Sequence, residues 1–187
     1  MKKIILTALV AVASLSANAQ VWVGGSLGLA HENVKDSSKE TNFVISPEVG
    51  YKLNDNWDIA LGLGFEFGNY DPEGGTQIKT TKIAVNPYAR YTFAKSGIAS
   101  FFVDGGFNVA HVKDDYKNAG KIEATTWGIG VQPGVAIALS SKASLVGKIG
   151  YLGYQSTSYK DDAKAKVSDF GFGVNGNDIS LGFYYAF

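Results

Sequence analysis

The chain has 187 residues with 17 Lys and Arg against 17 Asp and Glu, so its formal net charge is zero and nothing suggests a nucleic-acid binder. It has no cysteine, which excludes a disulfide framework, a thiolate metal site and acylation as a lipoprotein. Glycine (23 residues) and aromatics (11 Phe, 10 Tyr, 3 Trp) are abundant, as expected where apolar and small residues alternate.

Met1-Lys2-Lys3 is a cationic start, Ile4 to Leu15 is apolar, and Ala17-Asn18-Ala19 is a small-x-small cleavage site. Residues 1–19 therefore read as a secretory signal peptide, too short for a membrane helix of about 20 apolar residues. Residues 20–187 remain as one domain, with no stretch long and apolar enough for a membrane helix.

Period-2 alternation then predicts eight strands. The first, Gln20 to Ala30, sets Val21, Val23, Leu27 and Leu29 against Trp22, Gly24, Ser26 and Gly28. The second runs from Phe43 to Leu53. The third, Trp57 to Phe67, is the cleanest, with Ile59, Leu61, Leu63 and Phe65 on one face and Asp58, Ala60, Gly62, Gly64 and Glu66 on the other. The fourth is Lys82 to Phe93, and the fifth, Ala99 to Val109, has one intruder, Phe102, on its polar face. The sixth is Thr126 to Leu139. The seventh, Leu145 to Tyr154, is interrupted by Val146 and Leu152. The eighth, Ile179 to Phe187, carries Leu181, Phe183, Tyr185 and Phe187 on one face.

No charged residue falls on any of the eight apolar faces, whereas the opposite faces carry Glu48, Lys52, Asp58, Glu66, Lys82, Arg90, Asp104 and Lys148. Eight strands enclose just enough room for side chains. The large apolar residues would overfill that space, while Gly, Ala, Ser and a few charges fit it. The oily faces therefore point outward to lipid, and the predicted fold is all-β: an eight-stranded antiparallel up-and-down transmembrane β-barrel.

Connections alternate. Asn54 to Asn56, Ala94 to Gly97 and Ser140 to Ala143 read as tight turns, while His31 to Thr41, Asn69 to Thr80, Val112 to Glu123 and Gln155 to Asp169 read as long polar loops. Such barrels have short periplasmic turns and longer extracellular loops, so both termini are expected in the periplasm. Aromatic girdles are then expected at Tyr51, Trp57, Tyr91, Phe93, Tyr185 and Phe187 on the periplasmic side and at Phe43, Phe67, Phe107 and Trp127 on the outer side. Pro47, Pro87 and Pro133 each lie six residues before the last apolar residue of a descending strand, which suggests a shared bulge or a locally missing hydrogen bond.

With signal peptide, eight strands, loop asymmetry, proline-bearing descending strands and a terminal Phe187, the chain resembles the small OmpA-like and OmpX-like outer-membrane β-barrels over all of residues 20–187. The resemblance implies a Gram-negative outer-membrane location and insertion by the barrel assembly machinery, after escort by periplasmic chaperones, with Tyr185 and Phe187 in the assembly signal. It implies no single activity.

Inward parity and height gather Glu48, Tyr88, Arg90, Asp104, Gln132 and Lys148, with Glu66 and Lys82 on the same face, into a lumen polar network that plugs the barrel. A gate, in which charged pairs exchange partners and pass small solutes as a narrow porin, is the alternative. A lipid A-modifying enzyme is the third reading, but the interfacial His31 and His111 lack a His-x-Ser arrangement, since Asn33 and Lys113 stand there. No catalytic residue, metal ligand or cofactor is expected. The expected partners are outer-membrane lipid, lipopolysaccharide and an extracellular molecule at the loops, and the expected state is a monomer. Phe170, Phe172 and Val174, out of phase with the last strand, read either as a bulged strand extension or as an apolar loop patch.

Overall fold

The computed structural model describes residues 20–34, 38–72, 75–117, 120–160, 166–173 and 179–187. The proposed signal peptide and Val174 lie outside them. Ten strand segments follow in chain order: β1 (Val21–Val34), β2 (Ser38–Lys52), β3 (Trp57–Pro72), β4 (Ile78–Ser96), β5 (Ala99–Tyr116), β6 (Gly120–Ala138), β7 (Ala143–Ile149), β8 (Tyr151–Tyr159), β9 (Lys166–Gly173) and β10 (Ile179–Ala186). All ladders are antiparallel. β7 with β8, and β9 with β10, each make one interrupted stave, and the order β1-β2-β3-β4-β5-β6-β7-β10 returns to β1, so the sheet closes as an eight-stranded barrel. Among the described residues the seam between β1 and β10 comprises six residue pairs, from Trp22↔Ala186 to Leu27↔Leu181. β9 pairs, among the described residues, with β8 alone.

Except beyond Gly150, the parity is the one read from the sequence. Ile59, Leu61, Leu63, Phe107, Trp127, Ile129, Leu181 and Phe183 are exposed on the outside. An apolar belt this extensive is stable only against lipid. The short turns are fixed by side chains that accept backbone hydrogen bonds: Asn54 Oδ1 from the amides of Asn56 (2.9 Å) and Trp57 (3.0 Å), and Ser140 Oγ from those of Lys142 (3.2 Å) and Ala143 (3.0 Å). The turn after β4 differs from the one read in the sequence. A bulge between Thr92 and Ala94 lets β4 continue to Ser96, and Gly97 (φ +57°) and Ile98 make the turn.

The four long polar segments are mostly not loops. β1 and β2 pair out to Val34↔Ser38, β3 and β4 to Tyr70↔Ile78, β5 and β6 to Tyr116↔Gly120, and β8 pairs with β9 as far as Ser158↔Lys166. Polar composition suggested loops because strands outside a membrane need no apolar face. At 19 residues β4 and β6 run roughly 60 Å, about twice what a bilayer-spanning strand requires. The barrel wall thus projects well beyond its apolar belt at one end. β9 is a paired strand, which makes Phe170 part of a strand extension rather than of a loop patch.

The irregular pattern of the seventh predicted strand has one cause. Gly134 faces Lys148 and Val131 faces Leu152, so three steps along β6 are matched by four on the neighbouring stave. The extra residue is a β-bulge at Gly150, whose φ of +69° lies in the left-handed region. The bulge switches the parity, so Val146 and Lys148 point inward before it, while Tyr151 points inward and Leu152 outward after it. Gly150→Val should therefore destabilise the barrel by about 1–3 kcal/mol, measured as the urea midpoint in lipid vesicles.

The three prolines coincide with gaps in the ladder. Between β2 and β3 the pairs skip from Ile45↔Phe65 to Glu48↔Gly62, and between β4 and β5 from Val85↔Val109 to Tyr88↔Gly106, with no change of register. Pro47 and Pro87 lie in those gaps, and Pro133 faces the Gly150 bulge. Their other edges pair without interruption, to Gly25, Leu61 and Val103. A residue without an N–H is tolerated where one edge needs no donor.

Candidate functional site: the plugged lumen

Alternation aims Glu48 (β2), Arg90 (β4), Asp104 (β5) and Lys148 (β7) at the barrel axis at one height. Arg90 donates from Nε to Asp104 Oδ1 at 2.7 Å and from a terminal nitrogen to Oδ2 at 2.9 Å, a bidentate pair. Lys148 Nζ lies between the two acids, 3.1 Å from Asp104 Oδ2 and 3.2 Å from both Glu48 oxygens. Glu48 also accepts from the hydroxyls of Tyr184 (2.8 Å) and Tyr88. The chain Arg90, Asp104, Lys148, Glu48 alternates in sign and sums to zero charge, and Arg90, Asp104 and Lys148 are only 5, 6 and 7% exposed. Charges so far from water persist only when paired and hydrogen-bonded as these are.

An aromatic layer lies beside this quartet. Trp22 stacks on Tyr184 with centroids 4.8 Å apart, and the Arg90 guanidinium sits 3.8 Å above the Phe102 ring. Trp22, Tyr88, Phe102, Val146 and Tyr184 form the buried cluster of the lumen. Alternation set Trp22, Tyr88 and Phe102 on this inward face, while the volume argument from sequence favoured small residues and a few charges there, and the glycines show how the rings fit. Trp22 is paired across the ladder with Gly50, Tyr184 with Gly24, Phe102 with Gly134 and Tyr88 with Gly106. A Cβ on Gly24, Gly50 or Gly134 would overlap the facing ring, and one on Gly106 would lie 2.6 Å from the Tyr88 Cβ. Each large ring occupies space that its cross-strand partner vacates. The signal was present as glycine at inward positions, but it becomes readable only once the register is known.

The other predicted lumen residues separate. Gln132 is paired with Asp104 on the ladder and faces the same cavities. Glu66 and Lys82 form a distinct ion pair nearer the long-hairpin end, 3.4 Å apart and only partly shielded from solvent, with side chains 25 and 40% exposed. Above the quartet, two adjoining recesses of about 290 Å³ each share Lys82, Asn86, Asn108, Gln132 and Lys148; below it lies one of about 170 Å³ bordered by Asp58, Arg90 and Ser144. The quartet and its rings stand between them.

The predicted girdle residues stand on the outer face. Trp57 and Tyr91 pack at 4.7 Å beside the exposed Phe93, the Tyr51 hydroxyl donates to Gln20, and Tyr185 meets Phe187 edge-on at 5.4 Å. Toward the other rim, Trp127 contacts Phe107 (6.2 Å) and Tyr154 (5.4 Å). His111 is exposed on the outer face with Nδ1 3.4 Å from Thr125 Oγ1. Among the described residues no group of three or more His, Cys, Asp or Glu side chains is placed to hold a metal.

A closed antiparallel cylinder with lipid-facing apolar rows and a filled polar axis is the architecture of outer-membrane barrels, and the model of the outer membrane protein beta-barrel domain matches residues 4–187. The chain belongs to that family. Among solved structures it resembles a major outer membrane protein from Thermus thermophilus, with TM-score 0.54 and 15% identity over 90% of this chain and 98% of that one. OprG from Pseudomonas aeruginosa gives TM-score 0.54 and 12% identity over 90% and 96%. Neisserial surface protein A gives 0.49 and 18% over 89% and 97%. No curated protein sequence matches the chain. At these identities the likeness speaks for the fold alone.

Proposed function

We propose that the protein is a non-conducting, non-enzymatic barrel of a Gram-negative outer membrane that acts in envelope structure and surface interaction. Export follows a signal peptide at residues 1–19, the short turns and both termini face the periplasm, and the long hairpins project from the cell as the platform for an extracellular partner. Tyr185 and Phe187 serve the assembly machinery, and the barrel works as a monomer without a cofactor. The observation that carries this reading is the plug: four paired charges and five packed side chains between the upper and lower recesses. Opening a water path would separate charges in a low-dielectric interior.

A gate is favoured by one detail, the two carboxylates within 3.2 Å of Lys148, which offer it alternative partners. Planar-bilayer recordings on refolded protein, with folding verified by heat-shifted gel mobility, separate the two. The plug predicts no sustained current in the wild type. Steady, ion-selective conductance would replace it with the narrow porin.

A further inference from the structure

Just above the apolar belt, the outward rows of β4 to β8 change character. Along β5 and β6 the sequence of outward pairs is Val109↔Trp127, then His111↔Thr125, then Lys113↔Glu123, then Asp115↔Lys121, and Lys79 on β4 faces Asp115. Lys160, whose amide donates to the Glu123 carbonyl at 2.9 Å, completes the cluster. Four lysines thus share one face with two acids. Lys121 is 3.3 Å from Asp115 and Lys160 is 2.7 Å from Glu123, while Lys79 and Lys113 make no ion pair among the described residues. The field is positive enough to hold the Glu123 carboxyl below its ordinary range, through the Lys160 hydrogen bond and charge first, with His111 and Lys113 adding to it. Across the barrel, the corresponding rows of β2 and β3 pair Lys39 with Asp71 and Thr41 with Asn69, with no excess of cations.

We infer that the outward face formed by Lys79, Lys113, Lys121 and Lys160 binds the phosphorylated headgroup of an acylated glycolipid in the outer leaflet. Lys113 lies four residues beyond Val109, about 13 Å along the strand, which matches the step from acyl chains into headgroups. Acyl chains would lie on Ile83, Val109 and Trp127 while phosphate oxygens accept from the ammonium groups above, a geometry a free anion cannot use in full. The inference rests on the proposed orientation, with the long hairpins outside.

The test is native mass spectrometry and Trp fluorescence on the refolded full chain, titrated with bisphosphorylated hexa-acylated lipid A, with its dephosphorylated form and with inorganic phosphate. Wild type should favour the bisphosphorylated lipid, and Lys79→Gln/Lys113→Gln/Lys121→Gln should weaken that binding at least about tenfold. Lys39→Gln should leave it unchanged. Equal binding of the dephosphorylated lipid, an unaffected triple variant, or equivalent occupancy by inorganic phosphate would each overturn the inference. Thr76→Cys, labelled by a membrane-impermeant maleimide on intact cells, reports the orientation separately. Labelling only after permeabilisation would remove the outer-leaflet placement while leaving the lipid titrations to be judged by themselves.

Discussion

Asp104→Ala should cost about 3–5 kcal/mol, the largest single loss expected from a polar residue here, because it strips two cations at once of their partner. Arg90 would lose both limbs of its bidentate pair and Lys148 one of its two carboxylates, in a layer where Arg90 and Lys148 are 5 and 7% exposed. Urea titration in lipid vesicles, followed by the heat-shifted gel band, measures it. The same truncation at Glu66, whose pair with Lys82 is partly open to solvent, should cost no more than about 1 kcal/mol. Replacing Arg90 and Asp104 together by Met and Leu should be close to neutral, since the remaining Lys148 and Glu48 still balance. If Asp104→Ala and Glu66→Ala are equally mild, water reaches the quartet and the lumen is not plugged.

The second expected result concerns the rings. Trp22→Ala should lose about 3–5 kcal/mol, as for other large aromatics removed from a packed interior. Gly50→Ala should lose about 1–3 kcal/mol by itself, because the nearest atoms to the new methyl all belong to the Trp22 indole. In the Trp22→Ala background the same glycine substitution should change sign and stabilise by roughly 0.5–1 kcal/mol, since the space is then empty and alanine suits a strand better than glycine. A double-mutant cycle measures the coupling. Additive effects would mean that the indole does not occupy the groove over Gly50.

Much of the architecture follows from residue alternation alone. The third strand, Trp57 to Phe67, could be assigned to two faces without knowing its neighbours, because lipid tolerates no charge and a narrow interior tolerates little bulk. Two kinds of feature were hidden. Val146 and Leu152 looked like errors in a single strand, and only the pairing with β6 shows that a bulge at Gly150 separates two correct phases. The long hairpin extensions lost their signal for another reason: beyond the bilayer both faces meet water, so the sequence there carries no period. In the lumen, Glu48, Arg90, Asp104 and Lys148 were legible because charges on a membrane strand have only one place to point. How the inward Trp22 and Tyr184 are accommodated was not, because the fit of each depends on a glycine in another strand.

The contact between β1 and β10 bears on how the molecule is made. The other ladders join segments that are closer along the chain, whereas this one joins the first strand segment to the last. Loop-closure entropy makes such a contact late to form, so neighbouring hairpins should zip up first and the cylinder should lock last. Until then Trp22 and Tyr184, one on each side of the gap, cannot stack. Completion of the wall and consolidation of its filling are therefore the same kinetic event.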